Sequence, residues 1–313
     1  MRAVQVTAFG GPDVLRLVDV DRPSPISTEV LVEVRAAGVN PVDWKTRSGS
    51  GVSHWQGAPP FLLGWDVAGV VSEMGYGVTI FEPGDRVLGM PWFPRQAGAY
   101  SEFVAAPSRQ FARIPEGMSF EEAAALPLAG LTAWQSLVDS AKVQPGDTVL
   151  VHGATGGVGH LAVQIAKARG AHVVATGRAV NHDFLRSLGA DECVDREAVP
   201  IQDAARDVDV LLDLVGSRET RAELDALRDG GMLVAIPDGA SDDAREEAAR
   251  RRIRVAQPLV EPDGHALGEL AGLVSDGRLK VTVDRVLPLG AAAKAHELLE
   301  SGGLRGKVVL TLA

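Results

Sequence analysis

Val149-Leu150-Val151-His152-Gly153-Ala154-Thr155-Gly156-Gly157-Val158-Gly159 is the stretch on which the reading of this chain turns. Val149, Leu150 and Val151 are apolar in succession, as befits a strand buried on both faces of a parallel sheet. Downstream, Val158, Leu161, Ala162, Ile165 and Ala166 recur at the spacing of one helix face, so His160, Gln164 and Lys167 are expected to face out. Gly170 supplies the helix stop. Ala154-x-Gly156-x-x-Gly159 matches the dinucleotide fingerprint with alanine at its first position. Gly156 lets backbone approach a diphosphate, and Gly159 lets the helix pack closely on the strand. The helix N-terminus then offers free N–H groups and a positive dipole end. Ala154, Thr155, Gly156, Gly157, Val158 and Gly159 are therefore candidate cofactor-binding residues. The Gly-Lys-Ser/Thr ending of a P-loop is absent.

The corner of the second strand selects the cofactor. NAD sites place an acid about 20 residues beyond the glycines, where it binds the ribose 2′-hydroxyl. Here the strand runs out as Val174-Ala175-Thr176-Gly177-Arg178, with no acid at its end. A guanidinium there suits a 2′-phosphate, so NADPH is the expected cofactor, with Gly177, Arg178 and His182 beside it.

Outward from this centre the pattern alternates strand and helix. Strands are predicted at His172–Thr176, Glu192–Asp195, Val208–Leu214, Met232–Ile236 and Ile253–Gln257, a doubly wound parallel-sheet layout. The first third is β-rich, with strands at Arg2–Ala8, Leu15–Val20 and Glu29–Ala37 separated by Gly/Pro turns. Ser119-Phe120-Glu121-Glu122 spells a capping box, and a second helical stretch follows from about Gly130 to Ala141. Val281–Leu287 and Lys307–Leu312 return to strand.

The chain has 313 residues, a net charge of −10 and a single cysteine, Cys193. The acidic balance argues against nucleic acid or an anionic membrane as partner, and the Arg250-Arg251-Arg252 run reads as a solvated helix face. One thiol makes neither an internal disulfide nor a multi-cysteine zinc site. Met1-Arg2-Ala3-Val4-Gln5-Val6 reads as a strand, not a signal sequence, and no apolar run spans a bilayer; a cytoplasmic address is expected.

Ala36-Ala37-Gly38-Val39-Asn40-Pro41-Val42-Asp43, Leu63-Gly64-Trp65-Asp66-Val67-Ala68-Gly69-Val70-Val71, Gly130-Leu131-Thr132-Ala133, Asp213-Leu214-Val215-Gly216 and Arg305-Gly306-Lys307-Val308-Val309-Leu310 join the glycine loop in a whole-chain pattern. With these motifs the chain resembles the medium-chain dehydrogenase/reductase superfamily, in its zinc-free quinone oxidoreductase branch. The resemblance implies an α/β chain: a GroES-like catalytic domain over 1–126, with 263–313 returning to it, and a Rossmann NADPH-binding domain over 127–262. It implies a homodimer or tetramer, of which the homodimer is expected here. It also implies hydride transfer from NADPH to a quinone or other α,β-unsaturated carbonyl.

Zinc-dependent relatives carry Cys where this chain has Asn40, and Gly-His-Glu where it has Gly64-Trp65-Asp66, so no metal is expected. Without a metal, conjugated carbonyls remain reducible, because they spread the developing negative charge to a distant oxygen. The resemblance puts Asn40 beside the nicotinamide, and Thr132, Val215, Gly216, Pro237 and Lys307 near the cofactor. Lys45 is a candidate for stabilising developing charge, against a surface lysine paired with Asp43. Trp44, Trp55, Trp65, Trp92 and Phe93 could line a flat pocket, though most are expected to be packing. The Gly49–Pro60 segment reads as a pocket loop. Two rival readings are an enoyl reductase of the same superfamily and a non-enzymatic NADPH-binding redox sensor. The first loses ground because Tyr76 and Tyr100 both lie outside the Asn40–Arg47 segment.

Overall fold

The computed structural model describes residues 1–216, 220–237 and 239–312. It divides into two compact units. One comprises Met1–Leu131, Glu261–Gly277 and Val281–Ala313; the other comprises Thr132–Val260 and Arg278–Lys280.

The second unit holds a six-stranded, all-parallel sheet. Its order is Glu192–Asp195, His172–Gly177, Thr148–His152, Val208–Asp213, Leu227–Ala235, Arg254–Ala256. Numbered along the chain this is 3-2-1-4-5-6, the doubly wound dinucleotide-binding order. The central strands are apolar on both faces; Leu150, Val174, Leu211 and Leu233 lie in one buried cluster. Chain order reverses between Thr148–His152 and Val208–Asp213, which is where ligands bind in such sheets.

The helix Gly159–Ala168 follows the glycine loop, and Gly170 ends it at φ +83°. One expectation about this helix is corrected. His160 and Gln164 are buried, not outward-facing. Gln164 Nε2 donates to the Lys280 carbonyl at 3.0 Å, and Lys280 N donates back to Gln164 Oε1 at 2.8 Å. A returning segment covers the face that the 3.6-residue period marks as polar, and the amide satisfies its backbone.

The first unit is β-rich. A three-stranded antiparallel sheet joins Leu15–Asp19, Arg2–Val6 and Phe61–Leu62. A seven-stranded sheet centres on the long strand Glu29–Val39, whose neighbours are Val67–Met74, Phe103–Pro107 and the C-terminal strand Lys307–Thr311. Val283–Pro288 pairs in parallel with Lys307–Thr311. The capping box at Ser119 forms both of its bonds and opens a short helix, Phe120–Ala124. A second helix begins at Pro127 and runs to Trp134, continuing as π-helix over Gln135–Ser140. Proline opens this helix, since its missing N–H costs nothing in the first turn. Among the described residues no helix is long and apolar enough to cross a membrane.

Candidate functional site

In the second unit the glycine loop stands at the switch point. Gly153 turns the chain at φ +84°, and its N–H donates to Thr176 Oγ1 at 3.2 Å. At Gly159 a Cβ would sit 2.3 Å from the Gly153 carbonyl oxygen and 2.7 Å from Ala154 Cα, so only glycine lets the helix begin this close to the strand. At Gly156 the nearest neighbour of a Cβ would be the Gly153 oxygen at 3.6 Å, so the loop lies open on that side. No side chain caps the helix that follows. Open backbone beside an uncapped helix N-terminus fits a diphosphate.

His152, Thr176 and Asp213 form a row across the three central strands, with His152 and Asp213 in register. His152 Nδ1 lies 2.8 Å from Thr176 Oγ1. Burial holds His152 below the usual histidine range, Arg196 adds to that, and Asp213 pulls the other way. Asp213 Oδ1 accepts the N–H groups of Val215 at 2.9 Å and Gly216 at 3.2 Å, which folds that loop back over the strand end. Val215 is 44% exposed. Pro237 follows the end of strand Leu227–Ala235, and Thr132 is buried in the helix Pro127–Trp134.

Arg178, half-buried, ends the second strand, and His182 follows within a few residues. Sequence reasoning passed over Arg196. Its N–H donates to the Gly177 carbonyl at 3.1 Å, one step beyond the Gly177–Asp195 pair, so two arginines leave adjacent strand ends side by side. The signal was available: Arg196 immediately follows the third predicted strand.

The first unit buries a polar cluster made of Asn40, Asp43, Asp66, Tyr100 and Lys307, none more than 3% exposed. Asn40 Nδ2 donates to Asp66 Oδ2 at 2.8 Å, and Lys307 Nζ donates to Asn40 Oδ1 and, at 3.2 Å, to Asp66 Oδ2. Leu128 N donates to Asp66 Oδ1 at 2.7 Å. Gly38 makes room for this: a Cβ there would lie 2.5 Å from Asp66 Oδ2 and 2.3 Å from the Ala124 carbonyl. Asp43 Oδ2 accepts from Asn40 N and from Tyr100 OH, both at 2.7 Å. Tyr100 thus stands against the Asn40–Arg47 segment, which corrects the expectation drawn from its sequence distance. Its phenol is buried, committed to Asp43, and pushed well above the usual tyrosine range by burial and by the Asp43 charge.

Lys45 is not paired with Asp43; it is half-buried, with its ammonium 5.9 Å from the Trp44 ring centre. Trp65 is core: its indole N–H donates to the Arg95 carbonyl at 2.7 Å, and its ring meets Phe93 edge-on at 5.3 Å. Trp92 donates to the Ala105 carbonyl at 3.0 Å. Trp55, 46% exposed, stacks near His54 in the Gly49–Pro60 segment. Arg250 pairs with Glu247 and Arg251 with Asp229, so the basic run is largely neutralised locally.

This parallel sheet, with its glycine loop, joined in one chain to a β-rich unit closed by both chain ends, defines a dehydrogenase/reductase class. A family described as alcohol dehydrogenase GroES-like domain matches residues 27–116, and one described as zinc-binding dehydrogenase matches residues 188–310. Quinone oxidoreductase of Rattus norvegicus is 34% identical over 327 residues, covering 100% of this chain and 98% of that protein. A solved quinone oxidoreductase from Coxiella burnetii is 39% identical with a TM-score of 0.93, covering 100% of this chain and 99% of the other. Escherichia coli quinone oxidoreductase, solved in complex with NADPH, is 30% identical with a TM-score of 0.88 and full coverage of both chains, 100% and 100%. The chain belongs to the medium-chain dehydrogenase/reductase superfamily, in its quinone oxidoreductase family.

Proposed function

We propose that this chain is an NADPH-dependent, zinc-independent oxidoreductase that reduces quinones or other α,β-unsaturated carbonyl compounds. The observation that carries it is the uncapped ledge Ala154, Thr155, Gly156, Gly157, Val158 and Gly159 at the switch point, with Arg178 and Arg196 beside it. When bound, NADPH supplies a hydride. The ledge amides hold its diphosphate, while Arg178, Arg196 and His182 receive the 2′-phosphate, with Gly177 keeping that corner free of a side chain. Thr132, Val215, Gly216 and Pro237 shape the ribose and nicotinamide end. Asn40 and Lys45 stabilise the charge that develops on the substrate oxygen, and Lys307, paired with Asp66, anchors the Asn40 amide.

Zinc independence is supported by what fills the two replaced positions. Both amide atoms of Asn40 are bonded to Asp66 and Lys307, and Trp65 is buried on the Arg95 carbonyl. Among the described residues no group of three or more His, Cys, Asp and Glu could hold a metal ion. We further assign the protein to the cytoplasm as a homodimer. The dimer is supported by the edge strand Arg254–Ala256, which pairs on one side only among the described residues, since a free edge invites pairing. A monomer mass in light scattering would remove that assignment.

The test is NADPH and NADH oxidation against a panel of benzoquinones, naphthoquinones and enones, with metal analysis of the purified protein. Faster turnover with NADPH on a conjugated acceptor is the expected result. Tight NADPH binding with no turnover on any acceptor would point to a redox sensor, and stoichiometric zinc would overturn the metal-free mechanism.

A further inference from the structure

Asp43 lies on the helix Pro41–Arg47 and has no exposed surface. Its two oxygens differ. Oδ2 accepts two hydrogen bonds, from Tyr100 OH and Asn40 N, whereas Oδ1 is buried without a partner among the described residues. A buried oxygen without a partner costs less as part of a neutral acid than as half of a carboxylate, because the neutral form carries no charge to desolvate. The surrounding charges point the same way. Asp66 and Lys307 neutralise each other. On the Asp43 helix, Arg47 is paired with Glu300 and lies beside His296, both on helix Ala292–Ser301, and Lys45 rests over Trp44. A negative Asp43 would therefore add a second negative charge beside Asp66, offset only in part by Lys307.

We propose that Asp43 and Tyr100 are a positioning pair: through the two bonds to Asp43 Oδ2 they hold the Asn40 turn, and through it the Asp66–Lys307 pair, and that hold tightens when Asp43 ionises. This rests on the reading of Asn40 as part of the reductase site. Burial, helped by the Asp66 charge, outweighs the lowering bonds from Tyr100 and Asn40 and the lowering Lys307 charge, and pushes the Asp43 carboxyl up to about 7. Both bonds favour the ionised acid, so the hold is weaker below that value and tightens as pH rises through it.

The experiment measures kcat and KM with NADPH and a soluble benzoquinone from about pH 5 to 9 for wild type, Asp43→Asn, Asp43→Ala and Tyr100→Phe. Wild-type kcat rises through about pH 7, whereas Asp43→Asn, which keeps an acceptor for both donors, shows no such limb. Asp43→Ala loses roughly tenfold in kcat at every pH, the cost of one lost charge-independent anchor. Tyr100→Phe moves the limb to higher pH, because the phenol bond favours the ionised acid. A shared limb in wild type and Asp43→Asn overturns the inference. Infrared spectra separate its failure from that of the reductase reading. A protonated-carboxyl band that fades through about pH 7 and is missing in Asp43→Asn supports the neutral acid with or without turnover, and its absence from wild type overturns it.

Discussion

Arg47 Nη1 lies 3.3 Å from His296 Nδ1, and a guanidinium can only donate, so that ring nitrogen must accept. Burial, with the Arg47 charge behind it, drops His296 from 6.5 to about 3. The unfolded chain takes up this proton first, so the stability involved is whole above pH 6.5 and is lost as pH falls towards 3. The full loss is on the order of a few kcal/mol. His296→Gln should flatten the acid limb of urea-denaturation stability between those values; an unchanged slope would refute the assignment. Asp43 has the opposite sign, since its folded value is raised: its contribution falls as pH rises from about 4 to about 7. At this scale the sequence was readable where one residue type has one use, as at Gly159. It was not readable at Tyr100, whose role comes from a partner 57 positions away.

Cofactor choice is predicted to rest on two neighbouring strand ends. Arg178 closes His172–Gly177 and Arg196 follows Glu192–Asp195, and parallel pairing makes them adjacent. A hydrogen bond to a charged group contributes about 1.5–3 kcal/mol, so Arg178→Ala and Arg196→Ala should each weaken NADPH binding by roughly tenfold or more. NADH binding should barely change, and equal losses for both cofactors in calorimetric titrations would refute the phosphate role. Element positions followed from hydrophobic period and turn residues, and most predicted strands stand within a residue or two of their places. The Met232–Ile236 strand starts earlier, at Leu227, because pairing with Val208 extends it across a polar Arg228-Asp229-Gly230 stretch. The buried face of helix Gly159–Ala168 was misread for a related reason: a chain segment from beyond residue 277 covers it.

Across the whole molecule, the β-rich unit is closed by joining the two ends of the chain. Strand Lys307–Thr311 lies between Val283–Pro288 and Glu29–Val39, and Lys307 brings its charge to Asp66, 241 positions away. Removing one partner of a buried ion pair leaves the other charge unpaired and costs about 3–5 kcal/mol. Lys307→Met should destabilise by that order in equilibrium urea unfolding, and the double variant Asp66→Asn/Lys307→Met should recover a substantial part. If the double variant is as unstable as the sum of its singles, the two side chains are not coupled.

What the amino-acid order determined alone is local and repetitive: the buried strand, the glycine turn, the helix that follows, and the replacement of two zinc-ligand positions. These depend on near neighbours in the chain, so period and residue type suffice to read them. Tertiary structure alone decided that Arg196 joins Arg178, that Tyr100 binds Asp43, and that Asn40 is held between Asp66 and Lys307. Each of those needs strands and helices far apart in sequence to meet, and the free energy that joins them comes from burial and charge pairing that no short window contains.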